Sequence, residues 1–344
     1  MNPRQYFEKM PKVELHLHLD GAFTLEFLFE LIKKYGGDSK IQSTADLKNW
    51  FLFKDFSHFI ESWFWKNQFF REPIDFEESV YQTLKGLSHQ NIIYLEAFFS
   101  PWDYKKTGIN PSDITYANIN AIRRAESDFG IKCRLIADIT RDHGHENALD
   151  RLNEITQFLG DELIGIGLGG SEQKYPANLF KGVFLEAKRR GFHRVAHAGE
   201  VGGSDSVWSA IRDLKVERIG HGVRSVEDTK LVEYLQATQI PLEVCIVSNI
   251  KTGVYSNYSD HPFPKLYSKG LSLTVNSDDP TMFGSTLAEE YSILYNEYGF
   301  ALSDISQIQN NSVESSFASA DEKNTFKKMM NSFWINNKML IEID

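Results

Sequence analysis

The sequence predicts an α/β protein built as a (β/α)8 barrel of the TIM type. Short apolar runs typical of strands recur along the chain, and amphipathic segments typical of helices separate them. This alternation favours parallel strands joined by helices. Eight such runs in 344 residues match the barrel in number and length. An open doubly wound sheet is the alternative, but no GxGxxG motif follows the first run.

The predicted strands cover residues 13–19, 92–99, 132–139, 163–168, 193–198, 217–222, 241–247 and 271–276. The predicted helices between them include residues 77–90, 114–130, 147–160, 176–191 and 226–239. Several of these segments end in glycine directly before the next strand, which is a common C-terminal signal of helices.

The segment between the first two strands is too long for one helix and rich in aromatic residues. Residues 47–70 carry two apolar faces at helical spacing, one with Phe56, Phe59, Ile60 and Trp63 and another with Trp65 and Phe69. A helix that is apolar on more than one face is buried or covers something apolar. We expect extra helices here that cover the barrel mouth, either as core packing or as a lid over a flat aromatic ligand.

The composition excludes several classes of protein. A formal net charge of −10 disfavours a nucleic-acid partner, and no run of about 18 apolar residues could cross a membrane. The first residues contain no apolar core of a signal peptide, so we expect a cytoplasmic protein. Cys133 and Cys245 lie in apolar runs and are interpreted as buried core residues. With no linker in the sequence, we expect a single domain over residues 1–344; the oligomeric state is not indicated.

Potential metal ligands stand at the ends of separate predicted strands. His16 and His18 are two residues apart on the first strand, so both imidazoles project to the same side. His197 ends the fifth strand, His221 ends the sixth, and Asp278 follows the eighth. Functional groups of this barrel lie at the carboxyl ends of its strands. Imidazoles with one carboxylate, and room left for water, are typical of a catalytic zinc site.

Other polar residues accompany these ligands. Glu200 follows His197 by three residues and could move protons beside a bound cation. Asp279 is adjacent to Asp278, so one is expected as a ligand and the other as a substrate contact. The glycine-rich stretch 165–172 would admit a ligand close to the backbone or form a tight turn. A second HxH pair, at residues 143 and 145, is interpreted as solvated because its loop is polar.

These residues resemble the adenosine deaminase family of the amidohydrolase superfamily over nearly the whole chain. The resemblance is carried, in order, by ELHLHLDGA (14–22), GIGLGGSE (165–172), HAGE (197–200), ERIGHG (217–222), LEVCIVSNIKTG (242–253) and VNSDDP (275–280). It implies a zinc-dependent hydrolytic deamination of a purine at C6 on a (β/α)8 barrel.

The resemblance also implies a role for each residue that matches a motif. His16, His18, His197 and Asp278 would hold one Zn²⁺ per chain. Glu200 would protonate purine N1, and His221 would orient and help deprotonate the attacking water rather than serve as a permanent ligand. The implied substrate contacts are Asp279 with N7, the N–H of Gly170 with N3, and Asp20 with the ribose 5′-hydroxyl.

The small-molecule purine is therefore expected to be a nucleoside, most simply adenosine converted to inosine and ammonia. Adenine deaminases in the resembling family carry Glu where this chain has Asp20, and the shorter side chain leaves room for ribose. Departures from the motifs at Gly167, Ser171 and Cys245-Ile246 lie near the pocket. They keep 5′-modified adenosines (aminodeoxyfutalosine or methylthioadenosine) and free adenine as alternatives.

Two other classes of function stay open from the sequence. Esterases, lactonases and phosphotriesterases of the amidohydrolase type often bridge two metals with a carboxylated lysine at the end of strand four, and LIGIGL (163–168) contains no lysine. A non-catalytic binding protein on the same barrel is the other class, and the retention of every ligand together with Glu200 argues against it.

Overall fold

In a computed structural model that describes residues 3–337, eight parallel strands form one sheet in chain order, which confirms the predicted barrel. The strands are β1 Lys12–His18, β2 Ile92–Phe99, β3 Lys132–Asp138, β4 Leu163–Gly167, β5 His193–Ala198, β6 Arg218–His221, β7 Leu242–Val244 and β8 Leu273–Val275. Each strand pairs with the next one along the chain.

The sheet closes on itself just beyond β8. The N–H of His18 donates to the carbonyl oxygen of Asp278 at 2.8 Å, and the N–H of Asp278 donates to the carbonyl oxygen of His16 at 3.1 Å. These two bonds join the last strand to the first, as a closed barrel requires. The residues that close the barrel are therefore three of the four predicted zinc ligands.

The helices of residues 3–337 surround this sheet. They are α1 Pro3–Lys9, α2 Leu25–Lys34, α3 Thr44–Trp50, α4 Phe56–Asn67, α5 Pro73–His89, α6 Pro111–Phe129, α7 Ala148–Thr156, α8 Lys181–Arg190, α9 Ser204–Ser209, α10 Thr229–Thr238, α11 Ile246–Lys251, α12 Phe263–Ser268, α13 Pro280–Phe283, α14 Leu287–Asn296, α15 Leu302–Ser315 and α16 Ala320–Asn336. Among them, none has the length and apolar character needed to cross a lipid bilayer.

Glycine ends two of the predicted helices as expected. Gly130 follows α6 at φ +72° and donates its N–H to the carbonyl oxygen of Glu126, while Gly191 follows α8 at φ +94°. The left-handed conformation costs glycine little, because it has no Cβ. Each glycine thus terminates its helix and turns the chain into the next strand.

The predicted seventh strand, 241–247, is too long. The structure ends β7 at Val244 and begins α11 at Ile246. The buried carboxylate of Glu290 accepts the N–H groups of Ile246 and Val247, each at 3.0 Å, and thereby stabilises the first turn of α11. An apolar run alone does not distinguish a buried strand from a buried helix, so the prediction failed at this end.

Four helices, α2 to α5, fill the segment between β1 and β2. One face of α4 lines a pocket at the carboxyl ends of the strands with Phe56, Phe59, Ile60, Trp63 and Phe64. Its other face packs away from the pocket, where the ring of Trp65 lies 4.7 Å from that of Trp50. The extra helices therefore cover the mouth, and α4 combines both expected roles, core packing on one face and pocket wall on the other.

Candidate active site

Four predicted ligands converge at the carboxyl end of the barrel. Atoms of His16, His18, His197 and Asp278 lie within 4.8 Å of one another, and all four residues are buried. The Nε2 atoms of His16 and His18 are each 3.4 Å from Asp278 Oδ1, and those of His18 and His197 are 3.1 Å apart. Ligands about 2.0–2.1 Å from one tetrahedral zinc ion lie about 3.3 Å from each other. The donor set therefore fits a zinc ion.

The charges around His16 favour a cation at this position. Its Nδ1 lies 2.8 Å from the carboxylate of Glu243, which in turn pairs with buried Arg218. Burial lowers the pKa of His16, but hydrogen bonds with Asp278 and Glu243 raise it to about 10. A carboxylate behind a ligating histidine orients the ring and increases its basicity. In the metal-free chain, His16 would hold a proton that a metal ion displaces.

His221 stands beside the four ligands without completing their set. Its Nε2 is 3.6 Å from Glu200 Oε2 and 3.8 Å from Asp278 Oδ2. Burial lowers the pKa of His221 to about 4, so the ring is neutral near pH 7. The Asn249 amide nitrogen faces Nδ1 at 3.2 Å, which puts the ring proton on Nε2. The resemblance implies that His221 helps to deprotonate water, which requires Nε2 to be free of its proton. The ring proton would then lie on Nδ1, and the Asn249 amide would have to be rotated by 180° to accept it.

Two residues of this group have an uncommon backbone. His221 and Asp278 adopt left-handed conformations, with φ of +58° and +63°. Such values are uncommon outside glycine and concentrate at functional sites, where the surrounding structure holds them. The two side chains approach each other, with His221 Nε2 3.8 Å from Asp278 Oδ2.

A second group of potential ligands is less suited to a metal. Cys245 lies with His16, His221 and Asp278 inside the same 4.8 Å limit. Burial raises the pKa of the Cys245 thiol well above its usual value, so the sulfur keeps its proton. Because metals bind the thiolate, this set offers a poorer site than the one with His18 and His197.

Glu200 lies on a loop that a second carboxylate holds in place. Glu172 accepts the backbone N–H groups of residues 199–202, with Gly199 at 2.5 Å, Glu200 at 3.2 Å, Val201 at 2.9 Å and Gly202 at 2.7 Å. A Cβ on Gly202 would lie 2.7 Å from the Glu172 carboxylate, so a glycine is needed there. No local pattern in the sequence predicts this role of Glu172, since these contacts join two loops about thirty residues apart.

We expect Glu172→Ala to lower the free energy of unfolding by about 2 kcal/mol, since several buried N–H groups lose their acceptor. Urea denaturation followed by circular dichroism would measure the loss. The matched control is Glu233→Ala on the exposed face of α10, which should change stability by less than about 0.5 kcal/mol. Equal stability of the two variants would show that Glu172 does not hold the loop.

The pocket beside the four ligands brings together most of the predicted site residues. His18, His197, His221 and Asp278 contribute to its inner wall with Glu200, Gly170 and Asp279. The aromatic face of α4 also lines the pocket. The pocket therefore combines polar groups for chemistry with flat apolar rings, as small-molecule sites commonly do.

Asp279 and Gly170 each present an uncommitted group to this pocket. Asp279 Oδ1 is buried and has no hydrogen-bond partner within residues 3–337. Burial and the neighbouring Asp278 raise the pKa of Asp279 well above its usual value. Gly21 makes room for this carboxyl group, since a Cβ there would overlap Asp279 Oδ1. The N–H of Gly170, at φ +91°, takes part in no hydrogen bond of the described chain.

Asp20 lies outside the pocket wall. Its carboxylate accepts the Tyr104 hydroxyl at 2.5 Å and the backbone N–H of Ser100 at 3.0 Å. Buried Lys66 also contributes a favourable charge to Asp20. Both oxygens of Asp20 are thus engaged by the protein, and the Asp279 carboxyl group occupies the space beside the neighbouring Gly21.

The pocket also contains a second acidic region that the sequence motifs do not indicate. Asp103 accepts hydrogen bonds from Trp63 Nε1 at 2.8 Å and His143 Nε2 at 2.8 Å. The interpretation of His143 as solvated is wrong, because its ring is only 25% exposed and bonds Asp103; His145 does remain exposed. Asp138 also lines the pocket. Its position at the end of a predicted strand was a signal that could have identified it.

Comparison with known proteins gives full-length matches. Residues 11–332 match the family model described as adenosine deaminase. An adenine deaminase of Crocosphaera subtropica is 35% identical over 316 residues, covering 92% of this chain and 97% of the relative. An aminodeoxyfutalosine deaminase of Streptomyces coelicolor is 35% identical over 317 residues, covering 91% of this chain and 82% of the relative.

A solved structure extends the similarity to the fold. The crystal structure of an amidohydrolase from Burkholderia ambifaria, with bound Zn, superposes with a TM-score of 0.92 at 25% identity. The match covers 100% of this chain and 96% of the other.

Proposed function

Because the chain belongs to the adenosine deaminase family, a family of hydrolytic deaminases that act on C–N bonds, we propose that it removes the C6 amino group of a purine with one zinc ion. The observation that carries the proposal is the convergence of His16, His18, His197 and Asp278 beside Glu200 in one pocket. Zinc, when bound there, supplies the activation of water near neutral pH.

Glu200 is proposed as the group that protonates purine N1. Burial raises the pKa of Glu200 well above its usual value, and the charges of Asp278 and Glu172 act in the same direction. A raised pKa favours the protonated carboxyl group, which is the form that a general acid needs. Protonation of N1 lets the ring accept electrons when water attacks C6, after which ammonia leaves and a carbonyl forms.

Asp279 and Gly170 are proposed to hold the other edges of the purine. N7 is a hydrogen-bond acceptor, so a carboxyl group that binds it must carry a proton, and the raised pKa of Asp279 meets that need. N3 is also an acceptor and suits the uncommitted N–H of Gly170. Together with Glu200 at N1, these contacts orient the ring with C6 toward the ligand cluster.

His221 is proposed to orient the attacking water. With its proton on Nε2, the neutral ring can donate a hydrogen bond toward the space between Glu200 and Asp278. This supports the orienting part of the role that the resemblance implied. Deprotonation by His221 would need the alternative tautomer.

For the substrate, we favour a 5′-modified adenosine such as aminodeoxyfutalosine over adenosine itself. The expectation of adenosine rested on Asp20, whose oxygens are bonded to Tyr104 and Ser100. An aminodeoxyfutalosine deaminase and an adenine deaminase are both 35% identical to the chain. The apolar face of α4 also lines the pocket and could contact a substituent beyond the base.

Free adenine is the second candidate. Its support is the adenine deaminase of Crocosphaera subtropica, which aligns over 97% of its own length. The contacts proposed for N1, N3 and N7 would serve a free base equally well.

A panel of 6-aminopurines tests the proposal directly. We expect zinc-loaded enzyme to turn over aminodeoxyfutalosine or methylthioadenosine at least about tenfold faster than adenosine, because contacts with the 5′-substituent add to transition-state binding. Ammonia release and the change in ultraviolet absorbance would be followed, with chelated enzyme as the control. Fastest turnover of adenine would favour the second candidate, and fastest turnover of adenosine would restore the original prediction. No turnover of any 6-aminopurine would refute the deaminase function.

A further inference from the structure

One buried carboxylate in the pocket is only partly engaged by the protein. Asp138, at the end of β3, is 3% exposed. Its Oδ1 accepts the N–H of Gly169 at 2.7 Å, whereas no hydrogen bond within residues 3–337 reaches Oδ2. No salt bridge within the same residues involves it. A buried carboxylate is costly unless its oxygens accept hydrogen bonds, so Oδ2 is available for a ligand.

Its neighbours leave room for this side chain. A Cβ on Gly167 would lie 3.0 Å from Asp138 Oδ1, and one on Gly169 would lie 2.4 Å from Oδ2. Gly167 pairs with Asp138 across β3 and β4. The carboxyl group of Asp138 therefore occupies space that a side chain at either glycine would need.

The other acidic residues nearby are already engaged. Asp103 accepts hydrogen bonds from Trp63 and His143, one to each oxygen. Asp142 accepts both the N–H and the hydroxyl of Ser171, at 2.8 Å and 2.5 Å. Asp138 thus differs from its neighbours in presenting an oxygen without a partner.

The order of strands around the barrel indicates which part of a purine Asp138 would face. Glu200 follows β5, Gly170 follows β4, Asp138 ends β3, and Asp279 follows β8, which adjoins β1. Around a purine, N1 is followed by N3, then N9, then N7. If Glu200, Gly170 and Asp279 bind N1, N3 and N7, the side that remains for β3 is N9 and its substituent.

We propose that Asp138 determines recognition at N9 by accepting a hydrogen bond from a ribose hydroxyl, or from N9–H when a free base is bound. The assignment rests on the deaminase function proposed above. In both cases Asp138 recognises a hydrogen-bond donor on the N9 side of the purine. That donor is a ribose hydroxyl in a nucleoside and N9–H in a free base. Asp138→Asn tests it, because the amide keeps the volume and can still accept from Gly169 but turns a donor toward the ligand.

The experiment compares matched substrates that differ by one donor. For nucleosides, the ribonucleoside that the enzyme accepts is compared with its 2′-deoxy and 3′-deoxy forms, which each lack one hydroxyl. For free bases, adenine is compared with 9-methyladenine, which lacks N9–H. In the wild type, loss of the contacted donor should lower kcat/KM about 10- to 100-fold, because it leaves a buried oxygen of Asp138 without a partner. In Asp138→Asn, the ratio of kcat/KM for the substrate with the donor to kcat/KM for its partner without the donor should fall toward one. Asp142→Asn is the matched control and should keep the wild-type ratio.

The outcomes separate this proposal from the function on which it rests. An active wild type with no discrimination in any pair, or an Asp138→Asn variant that keeps the full ratio, would overturn the role of Asp138 alone. A purely structural role would lower turnover of every substrate equally and leave the ratios unchanged. Wild-type enzyme that acts on no 6-aminopurine would remove both proposals. The wild-type ratios remain informative even if the variant does not fold.

Discussion

His18→Ala is expected to lose its zinc and to lower turnover at least about 10³-fold. Removal of the His18 imidazole leaves only His16, His197 and Asp278. The site then lacks one of the four ligands whose spacing fits a tetrahedral zinc ion. His16→Ala and Asp278→Ala should behave in the same way. Zinc per chain, measured by mass spectrometry after dialysis against a weak chelator, would be compared with the rate of ammonia release.

Two controls sharpen this experiment. His89→Ala removes an exposed imidazole at the end of α5 and should retain both zinc and activity. His221→Ala should retain zinc while losing activity, since His221 is proposed to orient water and not to hold the metal. Loss of zinc from His221→Ala would make it a ligand, and full zinc and activity in His18→Ala would refute the metal site.

Glu200→Gln is expected to retain zinc and to lose about 10²- to 10⁴-fold in kcat, the range typical of general acid–base catalysis. The amide is nearly the same size, and the Glu172 contacts to the loop involve only backbone N–H groups, so the fold should be unaffected. What changes is the proton available to N1.

The pH dependence gives a second readout for Glu200. Its pKa is raised, so the carboxyl group is protonated below that pKa and loses its proton as pH increases through it. Wild-type kcat should therefore fall on the alkaline side, and Glu200→Gln should lack that fall. A Glu200→Gln variant with near-normal turnover and an unchanged pH profile would remove Glu200 from the mechanism.

The barrel and the convergence of the four candidate ligands could be predicted because both depend on local pattern. Each strand is a short apolar run, and parallel strands bring their carboxyl ends to one edge whatever lies between them. His16, His18, His197 and Asp278 therefore meet, although the first and last are more than 260 residues apart. The error at β7 arose where a distant carboxylate, Glu290, started a helix inside an apolar run.

The residues that were missed or misread depend on contacts between loops. Nothing local in the sequence indicates that Glu172 binds the loop after β5, or that His143 reaches Asp103. Asp20 matched its motif, but its hydrogen bonds are determined by Tyr104 and Ser100, which follow β2. Substrate choice depends on such contacts, which explains why the chemistry was easier to predict than the substrate.

The hydrogen bonds between Asp278 and β1 have a consequence for how the chain matures. When only the first 270 residues have been synthesised, the chain contains the three candidate histidine ligands. It still lacks Asp278 and the two backbone hydrogen bonds by which Asp278 joins the end of the sheet to β1. The complete metal site therefore arises only when the two ends of the barrel meet. A zinc ion that binds only the complete site would stabilise the closed barrel and not the open folding intermediates. Zinc would therefore favour closure of the barrel once the chain is nearly complete.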